Sequence, residues 1–326
     1  MNNNTIAWLL PDIYEIRRYI RSAVDRIKAH DQMKSIIKDV MDNPGKMIRP
    51  VMMLLAAGEY EEVCRDELLS AAAAVEMIHS SSLILDDMID DSPLRRGKPT
   101  VQYVLGRGIA LCSGDYLMVE AISDLYDRGY PAAARELMEV IQIACDGEMI
   151  QNENVGNTHV SREAYEKAIG GKTAYFFRAV CGMSCRITGK NESVKKNLEE
   201  FGEILGTVFQ IKDDLLDWTR EESEIGKPIN EDFSEGIYTL PAIYTFSKEG
   251  YGEKLREYAV KDSLTKKDLH EIRRIVREAG GIKHTEDCLR ALCKRAGEMI
   301  DTLPADDYPQ KTADAMRYLI DKIEKE

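Results

Sequence analysis

LILDDMIDDSPLRRGKPT, residues 83–100, runs from apolar helix-forming sequence into aspartates and then into two arginines. Asp86 and Asp90 are four positions apart, and Asp87 and Asp90 three apart. On a helix both spacings put the carboxylates on one face. Like charges so placed repel, and the arrangement costs stability unless a cation sits between them. No His or Cys stands at ligand spacing, so the donors are all oxygen. Mg²⁺ suits that set, because it keeps several waters and takes one or two carboxylates plus substrate phosphates. A second cluster repeats the pattern about 127 positions downstream: QIKDDLLD, with Asp213, Asp214 and Asp217. An acidic run alone is equally a solvated helix face. Two matched copies, each set in apolar helix, are expected to face each other across a helical bundle and hold several Mg²⁺ ions and a diphosphate.

Helical periodicity dominates the rest of the chain, and alternating strand patterns are nearly absent. The expected helices are 11–29, 31–41, 47–60, 65–91, 101–105, 108–128, 131–153, 161–188, 192–218, 237–248, 251–261, 265–279, 281–302 and 308–325. Breakers separate them at Pro44-Gly45, Pro93, Gly97-Lys98-Pro99, Gly129, Gly156-Asn157 and Gly189. Ser161 suits an N-cap and Gly189 a helix stop. No linker or long-period repeat divides the 326 residues, so a single all-α domain spanning 1–326 is expected, a large helical bundle around a deep apolar cavity. The apolar share, 44%, is ample for a core, and the net charge of −13 argues against a nucleic-acid or anionic-membrane surface. The seven cysteines are scattered, and Cys181/Cys185 and Cys288/Cys293, though at helical spacing, are expected to be reduced buried thiols. With no secretory leader and no apolar run of membrane-spanning length, a soluble cytoplasmic protein is expected.

In such an acidic chain the clustered cations stand out. Lys46 and Arg49 open a helix, where a diphosphate could bind, or an ordinary surface turn could lie. His79 lies two helical turns before Asp86, either in the site or as a satisfied core histidine. Arg95 and Arg96 follow the first acidic cluster, as salt-bridge partners or as phosphate ligands. Lys172-Thr173 interrupts an apolar helix, where an unpaired lysine is costly. Gln210 precedes the second cluster. Lys227 lies in the loop 219–236, long enough to be a lid or binding loop.

Together these pieces resemble the trans-polyprenyl diphosphate synthases, the head-to-tail prenyltransferases that include farnesyl and geranylgeranyl diphosphate synthases. The resemblance rests on GKMIRP (45–50), EMIHSSSLILDDMID (76–90), RRGKPT (95–100), SGDYL (113–117), GEMIQ (147–151), GKTA (171–174), FQIKDDLLD (209–217), GKPINED (226–232) and EGIYTLP (235–241), in the family's order. It implies the all-helical type I isoprenoid synthase fold and condensation of isopentenyl diphosphate with an allylic diphosphate. By resemblance, Asp86 and Asp90 would bind two Mg²⁺ ions and Asp213 a third, with Asp87, Asp214 and Asp217 nearby and Asp232 in support. Arg95, Lys172, Thr173, Gln210 and Lys227 would hold the allylic diphosphate. Lys46, Arg49, His79 and Arg96 would hold isopentenyl diphosphate. A homodimer built on helices 108–128 and 131–153 is likewise implied.

Three positions depart from the family pattern. Ile237 stands where a phosphate-binding lysine is usual, Leu85 replaces a histidine and Met47 an arginine. Ile237 leaves open a non-catalytic or regulatory subunit of a heteromeric synthase. A class I terpene cyclase is a further reading, against which DDLLD and the Lys46/Arg49/Arg96 group argue. Chain length follows from helix geometry: a turn of about 5.4 Å is close to one isoprene unit. Ser82 and Ser81, four and five residues before Asp86, are small where synthases stopping at fifteen carbons carry an aromatic residue. A floor at Ile78 implies products of about twenty to twenty-five carbons, and slippage along Ala71–Ala74 longer ones. The two serines could equally serve close helix packing.

Overall fold

The computed structural model describes residues 5–43, 45–220, 230–261 and 263–325. They form an α-helical chain whose α-helices are α1 (Leu10–Arg26), α2 (Asp31–Met41), α3 (Ile48–Ala57), α4 (Arg65–Ile89), α5 (Val101–Leu105), α6 (Arg107–Asp127), α7 (Pro131–Glu153), α8 (Arg162–Ile169), α9 (Tyr175–Ile187), α10 (Glu192–Thr219), α11 (Glu231–Ser234), α12 (Leu240–Phe246), α13 (Tyr251–Ala259), α14 (Lys266–Glu278), α15 (Gly281–Ile300) and α16 (Gln310–Lys325). The contacts divide into two compact units. Unit 1 comprises Met1–Glu139, Ala179–Leu198 and Pro304–Ala315; unit 2 comprises Val140–Arg178, Glu199–Leu303 and Met316–Glu326.

In unit 1 the centre is α4. Its residues from Leu68 to Ile78 are all buried, a helix buried nearly all round. By composition Glu62–Ile89 is long and apolar enough to cross a membrane, contrary to the expectation that no stretch would be. Ala and Ser dilute any continuous apolar run there while keeping the average high. Most of the stretch is buried inside the protein, so it serves as a core helix. Small residues let α6 approach closely. A Cβ on Gly114 would lie 2.7 Å from Leu85 Cδ2, and Ser81 Oγ donates to the Gly114 carbonyl at 2.8 Å. Against α3, whose residues Arg49–Ala57 are all buried, Ser184 Oγ donates to the Met53 carbonyl and Tyr308 Oη to the Ala56 carbonyl. These bonds explain why the segments holding Ser184 and Tyr308 belong to this unit. Gly189, at φ +68°, stops α9 as expected: Lys190 N–H bonds the Cys185 carbonyl and Gly189 N–H the Arg186 carbonyl.

In unit 2 the apolar stripe of α10, Phe201, Leu205, Val208, Ile211, Leu215 and Trp218, is buried. A Cβ on Gly206 would come within 2.7 Å of Ala174 Cα, so only glycine fits that crossing. Further along, α12 and α15 meet at Gly281, where a Cβ would lie 2.4 Å from the Pro241 carbonyl. Ser161 caps α8, its hydroxyl accepting from Ala164 N–H.

Three expectations differ locally, the first being the loop expected over 219–236, within which α11 (Glu231–Ser234) forms. The helix expected over 161–188 is interrupted: α8 ends at Ile169, Gly170–Ala174 forms a π-helical turn, and α9 begins at Tyr175. The cause is a backbone crossing, since Gly171 lies against Gly147 of α7, at 2.9 Å from a notional Cβ to Gly147 Cα. Residues 94–99 form a two-stranded antiparallel hairpin, Leu94 opposite Pro99 and Arg95 opposite Lys98. Its two turn residues, Arg96 and Gly97, both have positive φ, as two-residue hairpins favour.

Candidate active site

The first acidic cluster, in unit 1, sits at the C-terminal end of α4. Asp90 is the C-cap, and its N–H bonds the Asp86 carbonyl. The helix dipole is negative at that end, so it adds to the mutual repulsion of the carboxylates. Asp87 is buried and Arg95 Nε donates to its Oδ1 at 2.6 Å. The hairpin thus carries Arg95 back to the cluster it follows in sequence.

The same hairpin docks on the loop before α3. Arg96 Nη1 donates to the Asn43 carbonyl at 3.3 Å, and Lys98 Nζ to Asn43 Oδ1 at 2.9 Å. A Cβ on Gly45 would collide with the Arg96 guanidinium, which holds that loop close to the hairpin. Lys46 follows directly, and Met47 takes positive φ to start α3. Arg49 is buried in the first turn of α3; desolvation lowers it to about 10, still cationic at neutral pH. His79 is held well below its usual value by desolvation, with Arg49, Arg96 and Arg95 adding to the effect. Arg49, His79 and Arg96, far apart in sequence, therefore share one neighbourhood.

Glu76, one turn before His79, was not expected at the site. It is buried, and desolvation raises it to about 7, although Arg49, Arg96 and Arg17 pull the other way. Of the residues considered for chain length, Ser81 spends its hydroxyl on Gly114, Ser82 donates to the His79 carbonyl at 2.9 Å, and Ile78 is buried.

The second cluster, in unit 2, occupies the last turns of α10, again at a helix C-terminus. Asp214 is buried and bonded on both oxygens. Tyr165 Oη of α8 donates to its Oδ2 at 2.5 Å, and Gln210 Nε2 donates to its Oδ1 at 2.9 Å. Gln210 in turn accepts from Thr173 Oγ1 at 2.8 Å. The π-turn at 170–174 is what points Thr173 to Gln210. Lys172, in the same turn, pairs with Glu148 of α7 at 2.6 Å, which offsets the cost of a lysine in apolar sequence. Asp217 accepts from Glu231 N–H at 3.1 Å on Oδ1, and its Oδ2 is buried with no hydrogen-bond partner among the described residues. Arg273 of α14 donates to the carbonyls of Asp217 and Arg220 and so holds the helix end.

Burial raises Asp214 to about 7 and Asp217 to about 6, and raises Asp232 well above its usual value, with Asp213, Asp214 and Asp217 adding to Asp232 by repulsion. Asp232 is therefore part of this cluster. Ile237 N–H bonds the Asp232 carbonyl at 2.8 Å, so the departure at 237 is anchored beside it. Lys227 lies outside the described residues.

Among the described residues no group of three or more His, Cys, Asp or Glu is arranged to hold a metal ion. Mg²⁺ asks for less, one or two carboxylates completed by water and phosphate. Crowded, buried, oxygen-only donors with one orphaned carboxylate oxygen on Asp217 fit that ion. Tyr165, Glu148, Glu76 and Arg273 were missed from sequence. Their partners lie 20 to 59 positions away, and no periodicity marks such pairs.

The family described as polyprenyl synthetase matches residues 30–276. The heptaprenyl diphosphate synthase component 2 of Bacillus subtilis (strain 168) is 31% identical over 275 residues, 84% of this chain and 78% of that protein. The geranylgeranyl diphosphate synthase of Saccharolobus solfataricus is 33% identical over 286 residues, 84% of each. A crystal structure of a polyprenyl synthase from Caulobacter crescentus, complexed with calcium and isoprenyl diphosphate, matches 99% of this chain and 97% of its own with a TM-score of 0.88 at 25% identity.

Proposed function

This chain belongs to the polyprenyl synthetase family and is a prenyltransferase, and from that premise we propose that it condenses isopentenyl diphosphate with an allylic diphosphate in a Mg²⁺-dependent reaction. The observation that carries the proposal is the second acidic cluster: buried, repelling carboxylates at a helix C-terminus, one oxygen of which has no partner among the described residues. Asp86, Asp87 and Asp90, and Asp213, Asp214 and Asp217 with Asp232 in support, are the proposed metal ligands. Bound Mg²⁺ would stabilise the charge on the departing diphosphate.

The chain's own residues do the rest. Arg95, Lys172, Thr173 and Gln210, with Lys227, orient the allylic diphosphate by charge-assisted hydrogen bonds. Lys46, Arg49, His79 and Arg96 hold isopentenyl diphosphate; Arg49 is preorganised by burial and His79 is kept neutral, a donor on one nitrogen. The allylic C–O bond breaks with its electron pair leaving on diphosphate, the isopentenyl double bond forms the new C–C bond to the allylic cation, and the released diphosphate takes the proton that restores the double bond, so no protein nucleophile is needed. Apolar walls keep water from trapping the cation.

Products of twenty carbons or more are proposed, because no aromatic residue stands at 81 or 82. We also propose a cytoplasmic homodimer. Ile109, Leu111 and Val119 of α6 are exposed apolar side chains that a second copy would cover. A second reading, that activity needs a partner chain of a different kind, is favoured by the likeness to a protein named as one component of a synthase and by Ile237. The test is to incubate the purified chain alone with Mg²⁺, isopentenyl diphosphate and, separately, dimethylallyl, geranyl, farnesyl and geranylgeranyl diphosphates, and to read products by mass spectrometry. A ladder reaching twenty carbons or beyond is expected. No elongation from any primer would overturn the first reading in favour of the second.

A further inference from the structure

In unit 2, with no member of the acidic cluster in its lining, is a cavity of about 380 Å³ lined by twelve residues of the segment leading into α8, of α12 and its C-cap, α13 and α15. Two are arginines and two histidines, and none is a carboxylate, in a chain whose net charge is −13. Such a concentration of cationic and hydrogen-bonding groups runs against the composition.

Arg256 is anchored on Phe246. Its Nη2 donates to the Phe246 carbonyl at 3.1 Å and its guanidinium lies over the Phe246 ring at 5.3 Å. Its Nε is buried without a hydrogen-bond partner among the described residues. Across the cavity Arg162 pairs with Glu166 through Nε at 2.7 Å. Ser161 accepts from Ala164 N–H and bonds the Glu163 carboxylate, so its hydroxyl is already engaged. His284 of α15 stacks on Tyr244 of α12 at 4.1 Å and 17°, and Lys248 Nζ lies 4.0 Å from the centre of the same Tyr244 ring. Leu240, Ile243 and Phe246 make the apolar wall.

The groups facing His284 are Arg162, Lys248 and Asp287, with Cys288 Sγ 3.7 Å from its Nε2. Asp287 is spoken for by Arg290 and Lys283, and Glu166 by Arg162. With Arg162 and Glu166 offsetting each other and Glu163 beside Ser161, the cations left at the cavity are Arg256 and Lys248.

We propose that this cavity is a binding site for a small organic phosphate: an anionic head held by Arg256, Arg162 and the two imidazoles, with a short apolar body against Leu240, Ile243 and Phe246. A carboxylate has two oxygens for a single arginine fork. A phosphate has three, which suits donors approaching from α8, α13 and α15 together. The site is separate from the proposed metal ligands and does not rest on the reaction proposed above.

Histidine Cε1 NMR on the full-length protein tests it, since the chain has five histidines and two of them line the cavity. The probes are n-butyl phosphate and inorganic phosphate, without Mg²⁺, against chloride at equal ionic strength. His159 and His284 should shift saturably with n-butyl phosphate. The His284 pKa, lowered by desolvation and then by Arg162 and Lys248, should rise when the anion is bound. Arg256→Met should weaken binding by about tenfold or more, the loss expected for one charge-assisted hydrogen bond. Should that variant misfold, Arg162→Met, at an exposed side chain, should give a loss in the same direction. The inference is overturned if His159 and His284 do not move, if only His79 of unit 1 responds, or if folded variants bind as the parent does. Equal affinity for the two probes would overturn the apolar part of the site.

Discussion

Replacing Tyr165 by Phe removes one oxygen and leaves the ring in place. Tyr165 is 6% exposed and its hydroxyl is one of two donors to the buried carboxylate of Asp214. A hydrogen bond to a charged acceptor contributes about 1.5–3 kcal/mol, and a neutral one about 0.5–1.5 kcal/mol. Which applies depends on pH, because burial raises Asp214 to about 7. The sign runs as for any carboxyl whose folded pKa is raised: its contribution is present below the unfolded value near 3.8 and is lost as pH rises through the folded value. The Tyr165 bond lowers that folded value, so its loss raises it further and penalises the ionised state. The variant should therefore lose about 0.5–1.5 kcal/mol at pH 5, and about 1.5–3 kcal/mol at pH 8. Urea unfolding at the two pH values without Mg²⁺, at unchanged m-value, measures this. At pH 8 the Mg²⁺ concentration for half-maximal turnover should rise in parallel, because the carboxylate is harder to ionise. An equal loss at both pH values, with the Mg²⁺ curve unmoved, would refute the argument that Tyr165 acts through the charge on Asp214.

Gly147→Ala would place a Cβ 2.5 Å from the Lys172 backbone nitrogen and push the π-turn off α7; a loss of about 1–3 kcal/mol in thermal unfolding and a raised KM for the allylic substrate are expected. Glu76→Gln should change how stability varies with pH. Glu76, raised to about 7, loses its contribution as pH rises from about 4.5 to 7, while His79, lowered, keeps its own above about 6.5 and loses it as pH falls from there to its depressed folded value. The parent's advantage over Glu76→Gln should thus shrink by about 1–3 kcal/mol across that range, read by chemical unfolding, and a pH-independent difference would count against an ionising Glu76. Ile237→Lys keeps the backbone bond to Asp232 and adds a cation. An allylic KM lower by about tenfold is expected in steady-state assays, and an unchanged KM would mean that this position does not reach the diphosphate.

The helices and both acidic clusters were legible in the sequence because each is a local pattern. Apolar spacing, capping Ser161 and stop Gly189 act within a few residues of themselves, and Asp86/Asp90 and Asp213/Asp217 share helix faces at any fold. The interruption at 170–174 was not legible. Gly170-Gly171 weakens the helix between Ser161 and Thr188 but does not by itself specify a π-turn; the turn arises from Gly147, more than twenty positions earlier, meeting Gly171. Glycines in both GEMIQ and GKTA were the available signal, and it can be interpreted only once the crossing is seen.

Residue identity, then, determines by itself which segments are helical, where carboxylates crowd at helix ends and which cations stand near them in the chain. Those properties depend on short-range sterics and on side-chain spacing. Tertiary structure alone decided which of those groups are buried and what each one touches. It set Tyr165 on Asp214, put Arg95 back onto Asp87, and turned the Ser81 hydroxyl to Gly114. Burial and pairing set the charge state of an aspartate or histidine, and both depend on chain segments that no local spacing specifies.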